Sequence, residues 1–461
     1  MYNSELFILN LRKNMINYSR RNALKFIGAS ALLTSGVGAT TKLEASENKD
    51  ITQKIVILGA GLAGISLAAK IRREMPNAKV VLVDKDETFI YQPGLTLVGI
   101  GFYTKDDITF DKAKYIPNGA EWIKQNVAQI LPDENSVKLE NGEILNYDYL
   151  VVALGIKYEF EAVKGLSIDD INSPSGNISS IYTLAGAVKT NELMQKFANN
   201  GGNAIFIDQK TPMKCSGANK KMLAMSEDRL RLAGNRTKGS VHLYAGGGKL
   251  FGDPTYAAKM SQIFIERDIK FTLRHQIIEI DKARNTAVFE HWMPYRENGE
   301  DRVATEQIEV KFDWLHLPPK QVGHQLLAEA GLTKDDDKLN WLSVNKKTLQ
   351  STKYKNIFGI GDIVGTPIGK TGASVRKMYP LVATNIANTI KGKELEASYN
   401  GYTACPFITK YGKAIMVEFD WDGTASSISC FGATRESYMS WLTKLYGFRP
   451  MIMNGMLKGL V

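Results

Sequence analysis

Two short stretches hold the candidate chemistry of this chain. Residues 211–218 read TPMKCSGA and residues 401–406 read GYTACP. Only three cysteines occur in 461 residues, and two of them, Cys215 and Cys405, stand in these Pro-, Gly- and small-residue contexts, 190 positions apart. Thiols in such loops suit exchange chemistry: the thiolate is the nucleophile, and a second thiol lets the pair cycle through a disulfide. Lys214 beside Cys215, with Lys220 and Lys221 close behind, would favour the thiolate, and Pro406 stiffens the turn after Cys405. Local sequence leaves open the alternative that both are small core residues, as free cysteines often are. Cys430, in SSISCFGA, alternates like a strand residue and reads as core. Three cysteines cannot build a disulfide framework, and no CxxC or His-rich cluster points to a metal, so no metal site is assigned.

The elements that must position the thiols begin at residues 54–58, KIVIL, a β-branched apolar run followed by GAGLAG and then ISLAAKIRREM in helical rhythm. A second apolar run, KVVLVD at 79–84, ends in an acid. Strand, Gly-rich turn, helix, strand and acid make the dinucleotide-binding βαβ unit. Gly59 makes the tight turn, Gly61 lets backbone approach a pyrophosphate, and Gly64 lets the helix pack on the strand, while the helix N-terminus offers N–H donors. Asp84, twenty residues after Gly64, can accept from ribose hydroxyls. Residues 148–155, DYLVVALG, and 356–362, NIFGIGD, read as two further strands of the same domain. A late Gly361-Asp362 returning to the first domain is the layout of a two-dinucleotide flavoprotein, and it points to FAD. At 203–208, NAIFID, a middle strand is present, but QKTPMKCSG follows it in place of a second glycine turn. The glycine cluster at 246–248 lacks the final helix-packing glycine. The second domain therefore reads as Rossmann-like without a nicotinamide motif, and the electron donor as something other than NADH.

Hydrophobic content of 44% and charged content of 23% are those of a globular chain long enough for two or three domains. The net charge of +10 favours anionic partners, but the basic residues are dispersed, which argues against nucleic acid. At the front, Arg20 and Arg21 precede a modestly apolar stretch and a small-residue site at Val37-Gly38-Ala39, resembling a twin-arginine export signal, although Ala23 stands where Phe is common. The alternative is an ordinary basic amphipathic leader. The expected organisation is α/β: residues 1–45 export signal and linker, 52–160 and 351–400 the FAD-binding Rossmann domain, 161–350 a second Rossmann-like domain, and 401–461 a redox-cysteine and membrane-associating region.

Four segments, YQPGLTLVGIG at 91–101, TPMKCSGA at 211–218, KTGASVRK at 370–377 and YTACPFITKYGKAIMVEFD at 402–420, resemble sulfide:quinone oxidoreductase, in the right order. The likeness runs from about residue 52 to the C-terminus, and the two-cysteine spacing is similar to the type II group, with no cysteine in 100–160. The resemblance implies two Rossmann-like domains with a C-terminal amphipathic membrane-associating segment, FAD as cofactor, and electrons passing from sulfide to a membrane quinone. It implies that Cys215 and Cys405 are the redox pair, Cys215 on the flavin side and Cys405 carrying sulfur. It also implies FAD contacts from Gly59, Gly61, Ala63, Gly64, Asp84 (where the family often has Glu), Gln92, Val127, Asp362, Lys370, Thr371, Gly372 and Ala373. Lys370 would lie near the pyrimidine end of the flavin and stabilise its anionic reduced form, an ordinary surface lysine being the alternative. By the same likeness, residues 312–319, FDWLHLPP, would border the quinone path, unless they simply end a buried strand.

In the last stretch Tyr438, Trp441, Leu442 and Leu445 share one helical face, and Met453, Met456, Leu457 and Leu460 form a second stripe, with a break expected at Gly447 and Pro450. Lys444, Arg449 and Lys458 can meet lipid phosphates. Neither segment can span a bilayer, but both can lie at its surface; packing on the protein's own core is the alternative. The expected setting is a periplasmic protein peripherally bound to the cytoplasmic membrane of a bacterium. The oligomeric state stays open, a homo-oligomer among the options. Three other readings are kept: the flavoprotein subunit of a flavocytochrome c sulfide dehydrogenase, an NADH:quinone oxidoreductase, and a non-enzymatic flavin or sulfur carrier. The C-terminal helices and GYTACP favour quinone over cytochrome, and the missing glycine turn argues against NADH.

Overall fold

The computed structural model describes residues 48–367, 370–424 and 432–461. The expected export signal and Cys430 lie outside the described residues.

Two five-stranded sheets organise the chain. In the first, the order is Ile357–Gly359, Tyr149–Val152, Lys54–Leu58, Lys79–Val83, Ala120–Ile123, with every pairing parallel. Parallel strands are covered on both faces, so their sequences are unbroken apolar runs rather than alternations; Ile55 to Leu58 and Leu150 to Val152 are wholly buried. Each such side chain contributes roughly 1.5–3 kcal/mol. That outweighs the ~1 kcal/mol that Gly64 costs inside the Leu62–Glu74 helix. The helix lies on this sheet through Ile65, Leu67, Ala68 and Ile71, all buried.

The second sheet runs Ile178–Ser179, Trp314–His316, Gly202–Asp208, Gly239–Ala245, Lys270–Leu273, again all parallel. Residues 209–217 lead from its central strand into the helix Ala218–Leu232 and carry Cys215. The 312–319 segment, expected beside the quinone path, supplies the buried strand Trp314–His316, with Trp314 Nε1 donating to Ser179 Oγ at 2.9 Å. Beyond the sheets, Thr403–Ala404 pairs antiparallel with Glu418–Asp420 and brings Cys405 to the surface of the second sheet's helix layer.

The C-terminal segment departs from expectation. Ser437 caps it by accepting from Ser440 N, and the chain then stays helical through Lys458. Gly447 and Pro450 do not break it. Wide turns at Thr443–Gly447 and Met451–Gly455 flank Phe448–Pro450, and a turn closed over five residues accommodates a proline that has no N–H to give. The apolar stripes face inward: Trp441, Leu445, Met453, Met456 and Leu457 are buried, leaving Tyr438, Tyr446 and Leu460 exposed. A stripe at helical spacing reads the same whether it meets a core or a lipid, and most of this one meets the core. Among the described residues no helix is long and apolar enough to cross a membrane.

Candidate active site

The two distant cysteines meet. Cys215 Sγ lies 2.7 Å from Cys405 Sγ. Cys215 sits at φ 46°, the left-handed region that a side chain enters at a cost, and its carbonyl accepts from Ala218 N at 2.7 Å, which fixes the loop to the start of its helix. Cys405 is buried, and its N–H donates to Val417 O at 2.9 Å. Gly217 lies beside the pair: a Cβ there would stand 3.5 Å from Cys405 Sγ, an ordinary contact.

Lys221 spans the pair, its Nζ 3.1 Å from Cys405 Sγ and 3.6 Å from Cys215 Sγ. The hydrogen-bonding contact with Cys215 holds the Cys405 thiol well below the ordinary range against the cost of burial, with Lys221 adding to it. Cys215 is pushed well above that range by the same contact and by burial. Burial opposes the charge on Lys221, yet the two sulfurs raise its pKa above that of a free lysine. The reduced site thus places one ammonium against two sulfurs in contact, an arrangement that favours a thiolate within the pair.

Of the three lysines expected to favour the thiolate, only Lys221 reaches sulfur. Adjacent helix residues point about 100° apart, so Lys220 turns away to a buried ion pair with Asp208 and to Ser216 O at 3.1 Å. Lys214 reaches Gln92 Oε1 at 2.5 Å and Asp362 at 3.8 Å. Lys444, expected at lipid phosphates, is instead buried: its Nζ donates to Pro93 O at 2.8 Å, and burial together with Lys221 pushes its pKa down to about 8. Arg449 lies over the rings of Tyr103 and Phe110, and Lys458 alone of that trio is freely exposed. A buried network unsuspected from sequence anchors the loop from below: Asn219 donates to Ile207 O at 2.6 Å and Asp208 Oδ1 at 3.0 Å and accepts from His316 Nδ1 at 2.6 Å. His316 is held neutral, its pKa lowered to about 3 by burial. An acid closing a parallel strand, at Asp208, was the one sequence signal for it.

The glycine cradle fits FAD. Gly59 has φ +101°, and a Cβ on it would fall 2.5 Å from Ala153 O; one on Gly64 would fall 1.9 Å from Gly59 O. Gly61 faces open space, and no side chain caps the helix that begins at Leu62, which leaves its first turn to a phosphate. Ala63, in that first turn, faces Gly361. Asp84 accepts from Ala60 N at 2.7 Å and from Asp86 N at 2.9 Å and pairs with Lys112 at 2.9 Å. A carboxylate has about four acceptor positions, so it both fastens the glycine turn and retains one for a ribose hydroxyl. Val127 opens the strand Val127–Leu131 and pairs with Leu139. Thr371 caps the Gly372–Ile390 helix by accepting from Ser374 N and lies 2.9 Å from Thr403 Oγ1, two residues before Cys405. Gly372, beside Ala373, stands against Leu62, Pro93 and Ile452. Lys370 is not an ordinary surface lysine: it is buried, its Nζ donates to Asp362 O at 2.6 Å and Val364 O at 2.8 Å, and it lies 3.7 Å over Trp341. Burial pushes its pKa down to about 8, and it acts here by holding the Asp362 turn.

Residues 53–385 match the pyridine nucleotide-disulphide oxidoreductase family. The chain is 32% identical over 410 residues to the mitochondrial sulfide:quinone oxidoreductase of Mus musculus, covering 88% of this chain and 86% of that protein. It is also 32% identical over 449 residues to the mitochondrial sulfide:quinone oxidoreductase of Dictyostelium discoideum, covering 96% and 95%. The sulfide:quinone oxidoreductase structure from Aquifex aeolicus superimposes with a TM-score of 0.70 at 23% identity, over 87% of this chain and 92% of that one, and so shares the fold. With the paired thiols and the glycine cradle in place, the chain belongs to the pyridine nucleotide-disulphide oxidoreductases and, within them, to the sulfide:quinone oxidoreductase family.

Proposed function

We propose that the protein oxidises sulfide to sulfane sulfur and delivers the electrons through FAD to a quinone. The observation that carries this reading is the contact of Cys215 and Cys405 at 2.7 Å under a shared ammonium, beside a cradle built for a dinucleotide. Gly59, Gly61, Ala63, Gly64, Asp84, Gln92, Val127, Asp362 and residues 370–373 would hold FAD, which supplies a two-electron acceptor when bound. With the cysteines joined, HS⁻ attacks Cys405 Sγ. A bond forms between sulfide sulfur and Cys405, the bond to Cys215 breaks, and Cys215 leaves as a thiolate holding the electron pair. Lys221 draws in the anion and stabilises the leaving thiolate. Cys215 takes the cofactor side because its neighbour Lys214 reaches Gln92 and Asp362; Cys405 takes the sulfur-carrying side, facing Gly217.

Purified FAD-loaded protein is expected to reduce a short-chain quinone only when sulfide is present. Negligible quinone reduction alongside fast cytochrome c reduction defeats the proposal, as does flavin bleaching by NADH without sulfide.

The protein works, on this reading, in the periplasm at the membrane surface, where its quinone is dissolved. The paired Arg20-Arg21 before an apolar stretch and the outward-facing Tyr446, Lys458 and Leu460 support it. The exported protein is expected to begin near residue 40 by intact mass; recovery of an unprocessed chain in the cytosol alone refutes the address.

A further inference from the structure

A cavity lined by neither thiol lies where the Leu62–Glu74 helix, residues 114–118 and the end of the C-terminal helical segment meet. It measures about 650 Å³; Arg72, Arg73, Lys114 and Lys458 line it, Met453 and Leu457 form its apolar wall, and no Asp or Glu is among the lining residues. Arg72 is held by carbonyls alone, Pro76 O at 2.7 Å, Ala78 O at 2.8 Å and Asn118 O at 3.4 Å, so its charge is not neutralised. Nearby Glu74 pairs with Lys70, and among the described residues none of the four cations forms an ion pair. Four cations lining one concavity with no acid among them focus a positive potential there.

We propose that this groove seats the phosphate headgroup of an anionic phospholipid. The cations match a phosphate, for which guanidinium gives paired N–H donors. The apolar wall matches the start of an acyl chain, which a free phosphate would leave uncovered. The groove is continuous with the outward face of the C-terminal segment, since Asn454 and Lys458 line it and Leu460 is exposed beyond it. This inference rests on the membrane-surface reading above and names the lipid that anchors it.

The test is flotation of the full FAD-loaded protein with phosphatidylglycerol–phosphatidylcholine vesicles and with phosphatidylcholine vesicles, for the unaltered protein and for the double variant Arg73→Gln/Lys114→Gln. At about 1 kcal/mol per basic residue at an anionic surface, the double variant loses roughly thirty-fold in partition to the anionic vesicles. Its turnover with a soluble short-chain quinone is unchanged, which shows that it folds. Millimolar inorganic phosphate leaves vesicle binding of the unaltered protein intact. Equal partition of the two proteins to anionic vesicles overturns the groove while the membrane seat stands. Failure of the unaltered protein to bind any vesicle removes the seat and the groove together. Displacement by inorganic phosphate makes the cavity a free-anion site and overturns the lipid assignment.

Discussion

Cys405→Ser leaves FAD bound and removes sulfide-dependent flavin reduction by roughly 10³-fold or more, since residues that act as one catalytic unit fail together. The substitution exchanges one small buried atom in a side chain that is 6% exposed, so the packing around Val417 and Gly217 survives. What disappears is the second sulfur: an oxygen cannot close a bridge with Cys215 or accept sulfane sulfur. Anaerobic stopped-flow mixing with sulfide reads the loss, and the oxidised flavin spectrum reads retention of the cofactor. Turnover that persisted through the change would mean that sulfide reaches the flavin without the thiol pair.

Lys221→Met is expected to slow sulfide-dependent reduction about 10²-fold, the usual cost of removing one preorganised charge from a site where anionic character develops. The sign in pH follows from the contacts. Lys221 lowers the Cys405 pKa, so its removal raises that pKa and the thiolate is formed only at higher pH. In the reduced enzyme, the acid limb of the pH profile for iodoacetamide alkylation therefore moves upward. The contact with Cys215 persists and keeps the shift from being complete. The fold tolerates the change, because losing the ammonium lets the thiolate protonate rather than stranding a buried charge. An unmoved alkylation profile would leave Lys221 a packing residue.

The strands of the first sheet are legible because burial on both faces writes itself as uninterrupted β-branched runs: KIVIL and KVVLV became Lys54–Leu58 and Lys79–Val83. The glycine turn is legible because backbone conformation and close approach demand glycine at 59 and 64 whatever surrounds them. The thiol pair is only half legible. Each loop looks reactive alone, but their contact is set by how two sheets and a late hairpin pack, and local sequence does not encode that; resemblance supplied it. The partition of Lys214, Lys220 and Lys221 among three different targets, and the inward turn of Lys444, follow from helix phase and tertiary contact. The helix runs through Pro450, where a break is expected because proline ordinarily ends a helix, and widened turns absorb it.

The strand Ile357–Gly359 lies beside Tyr149–Val152, although the whole second sheet separates them along the chain. While the ribosome is still making that intervening stretch, the Tyr149–Val152 edge has no neighbour on that side and offers its backbone to any passing strand. The nascent protein therefore passes through a sticky half-built stage that ends only when residues beyond 356 emerge. A chaperone that shields this edge during synthesis would raise the yield of intact protein.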